Sequence, residues 1–337
     1  MLESGKITVL GAGSWGTTLA LLLARTGKRV TLWEFRPDAV KKMSRMRENK
    51  EFLPGHPFPP QLEVTDDIHL ATAGAEFILM VVPSHAMRST ASRLTEGLPD
   101  NCTVISAAKG VEEKSLMRMS EVLADVWKDR FDPSRFCSLS GPSHAEEVVL
   151  GLPTSAVAAS TDIETAHRVQ KLLSGERFRA YATDDVIGVE LGGSLKNVVA
   201  IAAGLADGLG FGDNTKGALL TRGLAEITRL GVKLGGRPST FSGLSGMGDL
   251  ITTCCSRHSR NRYVGEEIGK GRSLKEVLGG MVMVAEGVRT TASTYALGQR
   301  EGIEMPITEQ VHRILFEDAD PLKATIELMT RRLKVED

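Results

Sequence analysis

Along the first half of the chain, short runs of apolar and β-branched residues alternate with stretches whose apolar positions recur every three or four residues. Residues 6–10, 29–33, 76–82, 102–107 and 135–139 form the runs. Apolar character that is continuous rather than alternating predicts strands covered on both faces. Residues 15–26 and the stretch around 38–47 carry helical spacing. Strand–helix alternation of this kind predicts a doubly wound parallel sheet with crossover helices. Two further strands are expected at 154–159 and 179–182, flanking the amphipathic run 163–173. After Asp185 the texture changes to Ala, Leu and Gly. Leu191, Leu195, Val198, Ala202 and Leu205 fall on one helical stripe, and residues 216–234, 261–269, 290–302 and 308–316 continue that spacing. The expected organisation is an α/β domain over residues 1–185 and an all-α domain over 186–337.

Composition narrows the class. The chain has 337 residues, 42% hydrophobic and 25% charged, enough for two domains with separate cores. A formal net charge of −1 gives no overall attraction to nucleic acid or anionic membranes, so neither is expected as a partner. The four cysteines (Cys102, Cys137, Cys254 and Cys255) form no C-x-x-C spacing or disulfide framework, which suits reduced thiols in a cytoplasmic protein. The N-terminal "MLESGKITVLGAG" runs straight into a strand pattern without the apolar core of a signal peptide. The apolar run 198–206 stops at Asp207 and is too short to span a bilayer. The histidines are scattered without metal-ligand spacing, so no metal is expected.

The first strand leads into "GAGSWG", which places Gly11, Gly13 and Gly16 in G-x-G-x-x-G between a strand and a helix. Gly11 permits a tight turn, Gly13 lets the backbone approach a pyrophosphate, and Gly16 lets the helix pack closely on the strand. The helix N-terminus offers N–H donors to the anion. Together these features predict a Rossmann-like dinucleotide site. Glu34 ends the second strand where a partner for the ribose hydroxyls is expected, and Arg36 follows two residues later. A carboxylate there favours NAD and an arginine could hold the 2′-phosphate of NADP, so the preference between them stays open.

In "ELGGSLKNVVAIAAGL" the pair Lys196–Asn197 interrupts an apolar helix. The neighbours of Lys196 one turn away include Gly192, Gly193, Val199 and Ala200, small enough for another backbone or a ligand to come close. A lysine at a helix end reaches water along its stem. In a dry cleft, its pKa falls toward neutrality and it can exchange a proton with a substrate. Lys109 follows the strand 102–107, at the sheet edge where doubly wound folds bind ligands. In "GPSHAEE", Ser143 and Glu146 form an S-x-x-E capping box that needs no further function. "GLSGMGDL" delivers Asp249, a candidate helix N-cap. Arg260 and Asn261 in "HSRNR" open a helix and offer a phosphate cradle or a basic solvated loop. "VVPSH" turns at Pro83 near the expected nicotinamide end and has no assigned chemistry.

Seven segments occur in order over nearly the whole chain: "GAGSWGTTLA", "AAKGVE", "SGPSHAEEV", "ELGGSLKNVVAIAAGL", "LSGMGDLITTC", "SRNRYVGEEIGKG" and "VAEGVRT". In this combination the chain resembles the soluble NAD(P)-dependent glycerol-3-phosphate dehydrogenases of bacteria. The resemblance implies a Rossmann-like domain joined to an all-α domain of 6-phosphogluconate dehydrogenase-like type. It further implies reversible reduction of dihydroxyacetone phosphate to sn-glycerol 3-phosphate with NADH or NADPH, feeding phospholipid synthesis.

By the same resemblance, Lys196 is the proton-transfer residue. Lys109, Gly141, Ser143, Lys196, Asp249, Ser259, Arg260 and Asn261 contact substrate. Gly11, Gly13, Ser14, Trp15, Gly16, Phe35, Arg36, Lys109, Ala145, Arg260, Val284 and Glu286 contact the cofactor. His144 matches no proton-transfer role. A homodimer through the all-α domain is a further expectation. Two rival readings remain: a 6-phosphogluconate-type β-hydroxyacid dehydrogenase, and a non-catalytic dinucleotide sensor.

Overall fold

The structure is a computed structural model that describes residues 5–281, 283–333 and 335; residues 1–4 of the N-terminal stretch lie outside them. Eight strands form one sheet: β1 (Lys6–Leu10), β2 (Val30–Trp33), β3 (Leu62–Thr65), β4 (Ala75–Met80), β5 (Thr103–Ser106), β6 (Phe136–Ser140), β7 (Thr154–Ala159) and β8 (Phe178–Thr183). Between them lie α1 (Ser14–Ala24), α2 (Pro37–Met46), α3 (Ile68–Thr72), α4 (Met87–Leu94), α5 (Met119–Trp127), α6 (Ala145–Val149) and α7 (Ile163–Leu173). Then come α8 (Val186–Gly208), α9 (Asp213–Lys233), α10 (Pro238–Phe241), α11 (Asp249–Cys255), α12 (Arg260–Gly269), α13 (Leu274–Gly279), α14 (Glu286–Glu301), α15 (Pro306–Phe316) and α16 (Pro321–Met329). No strand follows Thr183 among the described residues.

The strand order β3-β2-β1-β4-β5-β6-β7-β8 puts β1 in the middle, with the chain winding outwards in both directions. Both faces are covered. Ile7, Val9, Leu32, Leu79 and Ile105 pack into one core, while Leu10, Ile78, Met80 and Val104 pack into another on the opposite face. Strands buried on both sides have no reason to alternate with polar residues, hence the continuous apolar runs.

The sheet is mostly parallel, as expected, and departs from expectation in two details. The sheet is not wholly parallel, because β6 and β7 pair antiparallel with Ser138 opposite Ala159. Their connection carries only the five-residue α6 and re-enters the sheet at the edge it left. A parallel return needs a crossover to the far edge. The second is β3, which was not anticipated: it is a four-residue edge strand whose Glu63 is exposed, too short and too polar for a clear pattern.

Beyond the sheet, α8 is the axis of the helical half. Asp185 caps it, its Oδ1 accepting from Gly188 N at 2.9 Å, while Oδ2 accepts from Arg237 N at 2.8 Å. The stripe expected on one face is buried all round: Leu191 and Leu195 lie in one cluster, and Val198, Ala202 and Leu205 in another. The helix starts well before residue 198, at Val186, and ends just past residue 206, at Gly208. At 23 residues with mean hydropathy 1.4 it is long and apolar enough to cross a membrane, but 94% of its most apolar window is buried inside the fold. It is a core helix, wrapped by α9, α11, α12 and α14. Glu190 fastens α8 to the sheet half, accepting from Arg118 Nη1 at 2.6 Å, Ser120 N at 2.8 Å and Ser120 Oγ at 2.6 Å.

Helix α12 approaches α8 along a seam of glycines. A methyl group on Gly204 would strike the Arg262 carbonyl, and one on Gly265 the Ile201 carbonyl. With no side chains in the way the two backbones touch, which fixes residues at the start of α12 against the middle of α8.

Candidate active site

At the C-terminal edge of the sheet, β5 and β6 end at Ser106 and Ser140 and hand over to Lys109 and Gly141. Gly141 has φ +133°, a conformation that disfavours side chains. Its carbonyl accepts from Lys109 Nζ at 3.0 Å. From the helical half, α8 presents Lys196. Gly192, one turn before it, lets the turn Leu244–Gly248 lie directly on the helix, since a Cβ there would meet the Ser245 carbonyl at 2.6 Å. A Cβ on Gly193 would strike the Ser140 hydroxyl. The small-residue face around the lysine therefore admits a neighbouring backbone at Gly192 and the Ser140 side chain at Gly193.

That turn delivers Asp249. It is the first residue of α11 with Gly248 as N-cap, and its carboxylate bridges the two lysines instead of capping the helix. Oδ1 accepts from Lys196 Nζ at 2.6 Å and Oδ2 from Lys109 Nζ at 2.7 Å. Thr253, one turn further along α11, accepts from Lys196 at 2.5 Å and donates to the Asp249 carbonyl at 2.7 Å. Lys196 is 5% exposed and Asp249 2%.

Burial penalises the ammonium and takes Lys196 down to about 8, against the pull of Asp249 and with the help of Lys109. For Asp249, burial alone pushes the carboxyl up, but the two ammonium groups overcome it and hold the group below its ordinary range. The result is an amine able to give or take a proton near neutral pH, beside a carboxylate that stays charged.

A second chain of amides ties this centre to α12. Gly287 N donates to Asn261 Oδ1 at 2.9 Å, Asn261 Nδ2 to Asn197 Oδ1 at 2.9 Å, and Asn197 Nδ2 to the Lys109 carbonyl at 3.3 Å. Ser259 caps α12, its hydroxyl accepting from Arg262 N at 3.2 Å. Arg260 Nη1 donates to the Val284 carbonyl at 2.8 Å. Glu286 opens α14 and accepts from Ser84 Oγ at 2.5 Å, closing the helical half onto the turn after β4.

The dinucleotide turn has the shape its sequence implied. Gly11 has φ +109°, and a Cβ on it would lie 2.8 Å from the Val81 carbonyl. A Cβ on Gly16 would collide with the Gly11 carbonyl. Gly13 is different: nothing lies within 4 Å of where its Cβ would be, and it caps α1 without a side-chain hydrogen bond. Open space in front of uncapped helix N–H groups fits a pyrophosphate. Ser14 and half-buried Trp15 form the first turn of α1. Ala145 abuts that helix, its carbonyl accepting from Thr18 Oγ1 at 3.4 Å.

Just after β2, Glu34 is buried and Phe35 is 62% exposed. Arg36 Nε donates to Glu34 Oε1 at 2.8 Å.

These observations decide the family. Models of the NAD-dependent glycerol-3-phosphate dehydrogenase N-terminus and C-terminus match residues 6–166 and 185–326. The chain belongs to this family.

Its relatives include the "Glycerol-3-phosphate dehydrogenase [NAD(P)+]" of Prosthecochloris aestuarii, 53% identical over 98% of this chain and 99% of that protein. The protein of the same name from Pelotomaculum thermopropionicum is 51% identical over 97% of this chain and 94% of its own length. Among solved structures, the glycerol-3-phosphate dehydrogenase of Coxiella burnetii superposes with a TM-score of 0.94. It is 42% identical and covers 98% of this chain and all of its own.

One local expectation fails within this family site. Ser143 and Glu146 form no capping box: α6 starts at Ala145 with His144 as its N-cap, and the Ser143 hydroxyl donates to the Gly141 carbonyl at 3.0 Å. With His144 as the N-cap, the N3 position falls on Glu147, so Ser143 and Glu146 both stand one residue too early for the box. His144 stands beside the lysine centre with a buried, unpartnered Nε2, its ring centroid 6.0 Å from that of His258. Burial and the Lys196 charge push its pKa down.

Thr253 drew no notice from the sequence, and Ser84 was placed near the nicotinamide end within "VVPSH" but given no chemistry. Thr253 has a faint signal, standing one helical turn after Asp249 and so on the same face. Ser84 has none, because its partner lies 202 positions away. Among the described residues, no three His, Cys, Asp or Glu side chains gather as metal ligands.

Proposed function

We propose that this chain reduces dihydroxyacetone phosphate to sn-glycerol 3-phosphate with NAD(P)H, reversibly, and that Lys196 moves the proton. The observation that carries the assignment is the buried Lys196 amine held 2.6 Å from the buried Asp249 carboxylate, an enclosure that lowers the proton affinity of the amine. Bound nicotinamide supplies the hydride to the C2 carbonyl. Lys196 donates its proton to the C2 oxygen as that oxygen gains charge, and in the reverse direction the free amine takes the alcohol proton. Asp249 keeps Lys196 and Lys109 in register and accepts from the substrate's hydroxyls, while Lys109 and Gly141 hold the carbonyl end. Ser143 adds a hydroxyl from the same loop.

Ser259, Arg260 and Asn261 receive the phosphate at the N-terminus of α12, where charge and N–H donors coincide. Gly11, Gly13, Ser14, Trp15 and Gly16 hold the pyrophosphate, and Phe35 and Arg36 the adenosine end. Ala145, Val284 and Glu286 line the nicotinamide side, with Lys109 and Arg260 shared between substrate and cofactor.

In this assignment residues 1–185 bind the dinucleotide and residues 186–337 supply the proton and the phosphate grip. The product feeds glycerophospholipid synthesis in the cytoplasm, where unpaired thiols such as the exposed Cys255 persist. Two copies pair through the helical half, where Leu322, Ile326 and Met329 of α16 stay exposed; a monomer by sedimentation velocity removes that contact.

Mixing the protein with dihydroxyacetone phosphate and NADH or NADPH, and following absorbance loss, tests the activity. Lys196→Met is expected to lower kcat by about 10²–10⁴-fold, the range for a positioned proton-transfer group. A near-normal kcat removes Lys196 from that role. Failure of the intact protein to turn over with either dinucleotide favours the sensor reading.

A further inference from the structure

The adenosine end of the cofactor site carries a charge arrangement that the fingerprint alone does not show. Arg36 is held by two carboxylates. Its Nε and its backbone N donate to Glu34 Oε1 at 2.8 and 3.2 Å, and its Nη1 donates to Glu51 Oε1 at 2.8 Å. The guanidinium also lies 5.9 Å from the Phe35 ring and 5.4 Å from the Phe52 ring, so its plane is bracketed as well as bonded.

Glu51 comes from the chain after α2, and its position is not accidental. Asn49, 3% exposed, donates from Nδ2 to the Ala12 carbonyl at 2.7 Å and to Thr17 Oγ1 at 2.8 Å, and its Oδ1 accepts from Phe52 N at 3.2 Å. Ala12 sits inside the dinucleotide turn. The turn Asn49–Phe52 is thereby pinned to the fingerprint itself, and Glu51 is presented to Arg36 by the same structure that receives the pyrophosphate.

We propose that Glu51 is a specificity-determining residue that biases the site toward NADH by competing with the 2′-phosphate for Arg36. The inference rests on the dinucleotide reading above. One cation and two carboxylates leave a net negative cluster where the 2′-substituent lies in folds of this kind. A 2′-hydroxyl is accepted there by Glu34. A 2′-phosphate needs Arg36 and can recruit it only by breaking the contact with Glu51, while remaining close to two like charges. Both Arg36 and Glu51 are more than a third exposed, so solvent weakens the pair. The effect of Glu51 is accordingly set at the worth of an exposed ion pair, about fivefold in a binding constant.

The test is equilibrium titration of the full-length protein with NADH and with NADPH, read by energy transfer from protein tryptophan to the reduced nicotinamide. In Glu51→Gln, Kd for NADPH relative to NADH is expected to fall by about fivefold. In Glu51→Gln/Arg36→Gln the gain disappears, because the group released by the first change is gone. An unchanged ratio in Glu51→Gln overturns the inference. So does a gain that survives in the double variant, since bulk charge and not Arg36 would then be responsible. Binding of neither dinucleotide to the unaltered protein overturns the dinucleotide reading with it. Turnover of dihydroxyacetone phosphate with an unmoved ratio leaves that reading standing and removes only the role of Glu51.

Discussion

Replacing Asp249 with asparagine tests the chemistry of the site through a single charge. The variant keeps the side-chain shape and one acceptor oxygen, so the position of the turn before α11 is preserved. What it removes is the carboxylate 2.6 Å from Lys196 Nζ. Opposite unit charges about 4 Å apart attract by roughly 4 kcal/mol at an effective dielectric constant of about 20, and ~1.4 kcal/mol corresponds to one pH unit in a titration. Relaxation and water entry around a neutral amide offset part of this, so a downward movement of about one to two pH units is expected for Lys196.

The sign follows from which form each direction needs. Reduction needs the ammonium. Its kcat/KM is expected to fall in the parent protein as pH rises through about 8, and to fall at lower pH in the variant. Oxidation needs the free amine, so its rising limb should move down by the same amount. Any loss of substrate affinity changes the height of both profiles and not the position of their limbs. The assay is kcat/KM in both directions from about pH 5.5 to 9.5, which reports groups of the free enzyme. If both limbs stay near pH 8 in Asp249→Asn, either Lys196 is not the titrating acid or Asp249 does not set its proton affinity.

Gly13→Ala and Gly16→Ala should separate binding from folding. The first adds a methyl group to open space, so the melting temperature holds while dinucleotide affinity drops. The second drives a methyl into the Gly11 carbonyl and should cost about 1–3 kcal/mol by urea unfolding; equal melting temperatures for the two variants contradict this. Glu226 is buried, accepts from Ile307 N at 2.7 Å, and is pushed up by burial to about 7 from an ordinary 4.5. The folded state keeps a proton there that the unfolded chain has already released, so this group's contribution to stability is present at acid pH and is lost as pH rises from about 4.5 to about 7. Glu226→Gln should remove that dependence and gain up to roughly 3 kcal/mol above pH 7; urea midpoints that track the parent at every pH refute it. Asn261→Leu strands the Gly287 N–H and the Asn197 amide and should lower stability by about 2–4 kcal/mol, whereas a loss under about 0.5 kcal/mol would show that water replaces the network.

Much of this protein follows from local rules. The short, β-branched apolar runs of the first half read as doubly covered strands, and the spacing of Gly11, Gly13 and Gly16 served three different physical needs at once. Each signal lies within about one turn or one strand of chain, where sterics and periodicity act. Lys196 was conspicuous for the same reason, as a charge in a stretch otherwise suited to burial. Short or polar elements were illegible: β3 is a four-residue edge, and the antiparallel return of β7 depends on which edge of the sheet the chain re-enters.

Local patterns along the chain were enough for the longer elements, the dinucleotide turn and the identity of the ionisable groups. What those groups are to one another comes from folding. Lys109, Lys196 and Asp249 are separated by up to 140 positions, and Glu51 reaches Arg36 because Asn49 is tied to Ala12. Proton affinity and charge competition depend on distance and burial in space, and neither quantity is carried by order along the chain.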